Sequence, residues 1–405
     1  MDSLITAAAR ALAAGDPLGA LKRVALREDA AALALRGVAM AQLGDLERAR
    51  DLLRRAARAF GQKEPVARAR CALAEAEIAL VTRDIGKSLQ TLGAARALLD
   101  ARGDKANAAH AACLEARYLL LVGKLDEAEK VLEALDASLL PPASLAGHAL
   151  VRAGIAMRRV RAGPAREALD EACRAAQASA IPAQMAEVER AAQLLDAPVA
   201  RLLSEGRERM VRLDDVETLF ASDMMVVDAC RNVVRGGSVL VPLQGRPVLF
   251  ALCKKLAEVF PGEASREALL SAAFNAHDAD ESHRARLRVE IGRLRKVLQP
   301  LAGVSATGRG FVLAPNAKSV AVLSPPVDGD HGEVLALLSD GEAWSSSALA
   351  QALGVSPRTV QRALEALGER GKAESFGRGR ACRWVATAIP GFPTSLLLPA
   401  PLPGG

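Results

Sequence analysis

The chain has 405 residues, 51% hydrophobic and 25% charged, so it can bury several cores and is not disordered as a whole. Its net charge of +6 permits a nucleic-acid partner without requiring one, and the placement of charge has to decide. Aromatic residues make up only 3%, which argues against a single-strand binder that stacks bases on aromatic platforms and favours helices packed through small side chains.

Six cysteines, Cys71, Cys113, Cys173, Cys230, Cys253 and Cys382, are scattered without a CxxC pair. They read as small buried or half-buried residues in a reducing compartment, and no structural zinc is expected. Asp2 stands where a signal peptide would be basic, and Arg10 interrupts the first apolar run. No apolar run is long enough to span a membrane. These observations imply a cytoplasmic protein with no cofactor and no metal.

In chain order, a short unit from Leu4 to Leu26, turning at Gly15-Asp16, comes first and reads as a cap. Residues 33–60 then read as two helices broken at Gly44-Asp45, and the pattern returns. Small residues recur at Gly37, Ala76, Ala116 and Ala156, spaced 39, 40 and 40. A second set, Ala49, Ser88, Ala128 and Ala168, has the same spacings, and the turns fall at Gly44, Arg83, Gly123 and Gly163. A fixed period of small residues marks points where paired helices approach closely and neighbouring pairs stack. His110 and His148 have no metal-partner spacing and read as ordinary packed or surface histidines.

Residues 1–195 resemble the tetratricopeptide (TPR) repeat. Leu33, Gly37, Met40, Gly44, Asp45, Ala49, Leu53 and Ala56 take that motif's key positions, and GKLDEAEKVLEAL from Gly123 matches its second helix. Two features depart from the motif: the period is nearer forty than thirty-four, and aliphatic residues fill its aromatic positions. The resemblance implies an α-solenoid with a surface for a protein or peptide partner.

Residues 196–222 hold Pro198, Gly206 and mixed charges and read as a connecting segment. Residues 223–314 form the next domain. Met224–Val227 and Ser238–Leu243 are short β-rich runs, separated by Gly236-Gly237. Arg246 to Phe260 reads as a helix with Leu249, Leu252, Cys253 and Leu256 on one face, and Ser265 caps a second helix, SREALLSAAF. In the helix 282–299, Leu287, Ile291, Leu294 and Leu298 share a face. The opposite face carries Ala285, Arg286, Val289, Gly292, Arg293 and Lys296, with Arg284, Arg288 and Arg295 on its flanks. Such a face suits a major groove: small residues permit approach, and arginines reach phosphates and guanine edges. Residues 304–313 read as a hairpin with Arg309 at its tip.

This order resembles the winged-helix DNA-binding domain of OmpR/PhoB-type regulators, carried by SREALLSAAF, RVEIGRLRKVLQPL and TGRGFVL. The resemblance places Arg293 at a base contact, Arg295 and Lys296 in the family's basic run, and Thr307 and Arg309 in the wing. No phospho-acceptor receiver domain precedes it. Regulators of secondary metabolism also join such a domain to TPR-like repeats, in the reverse order.

Residues 315–329, rich in proline, read as a linker, and 330–386 as a second domain of the same kind. His331 to Ser339 is a short apolar helix, and Ser345 to Gly371 a helix-turn-helix. Gly354 permits the turn, Ser356 and Pro357 start the second helix, and Val355, Val360 and Leu364 supply packing. Ser356, Arg358, Thr359, Gln361 and Arg362 are left for DNA on the helix 356–369. Residues 373–385 read as a wing carrying Arg378 and Arg380. This region is similar to MarR- and DeoR-like winged helices. The Pro/Leu-rich tail 387–405 receives no function.

The fold class is therefore mainly α: an α-solenoid of TPR-like hairpins followed by two α+β winged-helix domains. The expected function is a sequence-specific transcription regulator that binds double-stranded DNA and is controlled through its repeats. Candidate partners are duplex DNA, a protein or peptide on the repeats, and RNA polymerase; no membrane is expected. An alternative is an interaction scaffold whose winged helices dock proteins. The chain has no P-loop, G-x-S-x-G, HExxH or strand-linked GxGxxG, and is not expected to be an enzyme.

Overall fold

The structure, a computed structural model, describes residues 2–83, 88–243, 245–274, 281–325, 331–338, 343–377, 379 and 382–386. The chain divides into two compact units. One comprises Met1–Arg159, Gly163–Leu194 and Glu333–Gly405, and the other Val160–Ala162 and Leu195–Gly332. The fold is mainly helical, with an α-rich N-terminal region and winged-helix-like α+β elements beyond it.

The first unit opens with successive helical hairpins. These are α1 (Ser3–Ala13) with α2 (Pro17–Val24), α3 (Ala30–Gln42) with α4 (Leu46–Phe60), and α5 (Pro65–Val81) with α6 (Ser88–Ala101). They continue as α7 (Lys105–Leu121) with α8 (Leu125–Glu133), α9 (Pro142–Arg158) with α10 (Ala162–Ser179), and then α11 (Pro182–Asp196). Local chemistry fixes their starts. The carboxylates of Asp2, Asp16, Asp29, Asp45 and Asp104 each accept from an N–H of the following first turn. Pro17, Pro65 and Pro142 sit in first turns, where a missing N–H costs nothing.

The periodic small residues lie where hairpins close. Ala76, Ala116, Ala156, Ala49, Ala128 and Ala168 are all buried. At Gly37 a Cβ would come within 2.8 Å of Leu53 Cγ, so glycine is needed there. The turn series holds at Gly44, Arg83 and Gly123, each at positive φ. It fails in the fourth repeat, where Val160 takes the left-handed conformation at φ 56 and Gly163 lies inside α10. Gly163 attracted the assignment because glycine is the usual left-handed residue. His110 and His148 are both buried, and His110 lies 3.2 Å from Ser144 Oγ and 3.6 Å from Glu77. Cys71, Cys113 and Cys253 are buried, Cys230 and Cys382 half-buried, and Cys173 exposed. Burial pushes the thiols of Cys71, Cys113, Cys230 and Cys253 up to about 12, which keeps them protonated and unreactive.

The same unit holds α16 (Gly332–Leu338), α17 (Ser346–Leu353), α18 (Pro357–Glu369) and the antiparallel pair β10 (Ala373–Phe376) and β11 (Arg383–Ala386).

The second unit contains β1 (Ala200–Ser204), β2 (Arg207–Val211), α12 (Leu213–Ala221), β3 (Met225–Asp228), β4 (Val233–Gly236) and β5 (Val239–Pro242). α13 (Pro247–Glu258), β6 (Ala264–Ser265), α14 (Arg266–Phe274), α15 (Glu281–Leu298), β7 (Ala302–Ala306), β8 (Gly310–Pro315) and β9 (Val320–Ser324) follow. Two sequence expectations change here. The connecting segment 196–222 supplies two strands and a helix, and the linker 315–329 contains β9. β9 lies inside a six-stranded sheet ordered β2-β1-β9-β3-β4-β5, antiparallel to β1 and parallel to β3. Its partners are distant in sequence, and Pro315 and Pro325 on either side of VAVLS resemble linker punctuation. In a second sheet, β6-β8-β7, the hairpin β7–β8 after α15 pairs through β8 with the short strand β6. Leu249, Leu252, Cys253 and Leu256 of α13 join Leu287, Ile291, Leu294 and Leu298 of α15 in one core. Among the described residues no helix is long and apolar enough to cross a membrane, and no group of metal-ligating side chains is present.

Candidate nucleic-acid interface

Burial of the apolar stripe of α15 sets the direction of everything else on that helix. Ala285, Arg286, Val289, Arg293 and Lys296 are exposed and Gly292 is half-buried, as the stripe requires. The arginines are not equivalent. Arg284 and Arg288 lie 3.7 and 3.5 Å from Glu281, an exposed carboxylate. Such surface pairs hold their partners weakly, so both remain available to phosphate. Arg286 lies over the Phe274 ring, 4.7 Å from its centroid, which orients the guanidinium. Arg293 donates Nη1 to Glu290 at 2.8 Å, and Glu290 is largely buried. Arg293 is still 64% exposed in its side chain, but reaching a guanine edge requires it to share or leave that carboxylate.

Arg295 is turned differently. Its Nε donates to the Val304 carbonyl at 2.7 Å, which ties the end of α15 to the first wing strand. Thr307 also works within the fold. Its hydroxyl accepts from the Gly310 N–H at 2.8 Å and its N–H donates to the Gly310 carbonyl at 3.0 Å, closing the β7–β8 turn. Arg309 projects from that turn, exposed. Gly310 is fixed by sterics: a Cβ would fall 1.8 Å from the Ala264 carbonyl oxygen, because β6 pairs with β8 there.

Sequence reasoning missed Arg266. Its Nη1 donates to the Gly308 carbonyl at 2.8 Å, its Nη2 to the Thr307 carbonyl at 3.1 Å, and its guanidinium lies 5.7 Å from the Phe311 ring centroid. It holds the wing tip against the start of α14. No local signal marks it, since its partners are about forty residues away.

In the first unit, Ser345 caps α17, and Gly354 ends it at φ 65 in the left-handed region. Ser356 Oγ accepts from the Thr359 N–H at 3.2 Å and lies 2.8 Å from Thr359 Oγ1. Ser356 therefore builds the start of α18, with Pro357 beside it. Val360, Ala363, Leu364 and Leu367 are buried. Arg358, Thr359, Gln361 and Arg362 are exposed on the N-terminal half, and Gln361 donates to Glu365 at 3.0 Å. Val355 departs from its expected packing role: it is 38% exposed, because the left-handed turn at Gly354 carries it outward. β10 and β11 form the second hairpin. Arg378 and Arg380, expected from the sequence to carry the wing contacts, lie outside the described residues.

A family model described as an HTH domain matches residues 333–374. The match covers α16, α17, α18 and the start of β10, and it supports DNA binding by this chain. No curated protein and no solved structure matches the chain.

Proposed function

We propose that this protein is a sequence-specific transcription regulator that reads double-stranded DNA with α15 and α18 and receives a protein or peptide partner on its helical hairpins. The observation that carries this reading is the helix-turn-helix match together with the exposed Arg358, Thr359, Gln361 and Arg362 on the N-terminal half of α18. That end enters a groove in helix-turn-helix proteins, while the acids Glu365 and Glu369 lie further from DNA. α15 offers a second reader in the manner of OmpR/PhoB-type domains: Arg286 and Arg293 face bases, and Arg284, Arg288 and Lys296 face phosphates. Arg309 supplies the wing contact. Arg295 and Thr307 act by fixing the wing rather than by touching DNA. The helix-turn-helix of residues 330–386 is read as MarR/DeoR-like, and the hairpins as TPR-like. The protein is placed in the cytoplasm, without a catalytic role, and RNA polymerase is a second candidate partner.

The alternative, winged helices that dock proteins, has one observation in its favour. Val289 is 54% exposed in the middle of the outer face of α15. Selection of bound fragments from genomic DNA, followed by Arg293→Ala, separates the readings. A base contact should lose roughly 1–3 kcal/mol on the selected site and much less on random duplex. Recovery of no preferred fragment by the wild-type chain would favour protein docking.

A further inference from the structure

The buried side chains of the helix-turn-helix are continuous with those of the hairpins. Trp344, Leu349 and Leu364 belong to one continuous buried cluster with Leu80 of α5, Leu92 of α6 and Tyr118 of α7. At the join, the Arg83 guanidinium lies over the Trp344 ring, 5.3 Å from its centroid. Arg83 is an unusual residue for its position. It follows α5 at φ 52, where Gly44 and Gly123 serve the equivalent turns, and a non-glycine residue there is strained. It is also buried, which arginine seldom is, and donates Nη1 to the Leu80 carbonyl at 2.6 Å. Trp344 is fully buried and exchanges two backbone hydrogen bonds of 2.8 Å with Trp384 of β11. The groups on α18 that face DNA remain exposed in this arrangement.

We propose that the Arg83–Trp344 contact seats the helix-turn-helix on the α5–α6 hairpin, and that the seated form is the one that reads duplex DNA. The hairpins are then a platform for the reader. A partner that competes for the Arg83 edge lowers DNA affinity, and DNA lowers that partner's affinity by the same factor. The inference rests on the assignment of α18 as a DNA reader.

The test uses the full chain. Its two tryptophans, Trp344 and Trp384, both lie in the helix-turn-helix segment, so tryptophan fluorescence, excited where Tyr118 does not absorb, reports that segment alone. Arg83→Gly removes the guanidinium and tolerates the positive φ. Arg83→Lys keeps the charge and loses the planar stack. Arg83→Gly should raise acrylamide quenching and weaken duplex binding roughly tenfold, a coupling of ordinary size. Arg83→Lys should fall between it and the wild type. If Arg83→Gly loses helix by circular dichroism, Arg83→Lys decides by the same two readouts. Unchanged quenching overturns the seating, and raised quenching with unchanged affinity overturns the claim that the seated form reads DNA. A wild-type chain that binds no duplex overturns the DNA-reading assignment itself, and quenching still decides the seating.

Discussion

Gly308 and Gly310 flank Arg309 in the first wing, and the same substitution should affect them very unequally. At Gly310 an added Cβ would fall 1.8 Å from the Ala264 carbonyl oxygen and 2.8 Å from its carbon. Ordinary contact needs roughly 3.5 Å, so β6 and β8 would have to separate by more than about 1 Å. That shift breaks the pairing of Ala264 with Phe311 and Ser265 with Gly310. It also strains the bond from the Arg266 N–H to the Arg309 carbonyl. Each backbone hydrogen bond contributes about 1 kcal/mol net, and a buried carbonyl left unpaired costs about 1–3 kcal/mol. Gly310→Ala should therefore destabilise the second unit by about 2–4 kcal/mol. For a domain of this size that lowers the melting temperature by roughly 5–15 °C. At Gly308 nothing lies within 4 Å of the added Cβ and the backbone is outside the left-handed region, so Gly308→Ala should be near neutral. Calorimetry of the two full-length variants is the assay. Equal melting temperatures would refute the placement of β6 against the wing.

Ala116 is fully buried where α7 packs against its neighbours, so Ala116→Leu should overpack the hairpins and destabilise them by roughly 1–3 kcal/mol in chemical denaturation. His148 is held below its ordinary value of 6.5, first by burial and then by Arg152. The unfolded chain therefore takes up a proton at higher pH than the folded one, and hairpin stability should fall as pH drops below 6.5. His148→Asn should flatten that acid limb, and denaturation midpoints between pH 7 and pH 5 measure it. Removing Arg266 frees the wing tip. Arg266→Ala should reduce duplex affinity while leaving the core of α13 and α15 folded, which an unchanged calorimetric transition of the second unit would report.

The apolar stripes were legible because burial imposes a period that neighbouring residues share. Leu287, Ile291, Leu294 and Leu298 are buried as their spacing requires, and so are Val360, Leu364 and Leu367. The small-residue series of the hairpins was legible for the same reason. β9 was not, because its partners β1 and β3 lie about a hundred residues earlier and its flanking prolines suggested a linker. Nor did the basic face of α15 reveal which arginines are engaged within the fold. Arg293 with Glu290 is a neighbouring pair on one helix and visible in principle. Arg295 with Val304, Arg266 with Gly308 and Arg83 with Trp344 depend on how separate elements meet. The turn at Val160 was hidden because a β-branched residue seldom adopts positive φ.

The salt dependence of duplex binding tests the DNA-reading claim most directly. Affinity of the full chain for a selected fragment is measured by fluorescence anisotropy across a salt series, beside the Arg358→Ala/Arg362→Ala double variant. Release of counterions from phosphates makes the affinity fall steeply and linearly on logarithmic axes, with a slope of about −0.9 per phosphate neutralised. The double variant should bind more weakly, with a slope shallower by about 1–2 if these arginines meet phosphates. Equal affinity and equal slope for the two proteins would contradict α18 as a DNA reader.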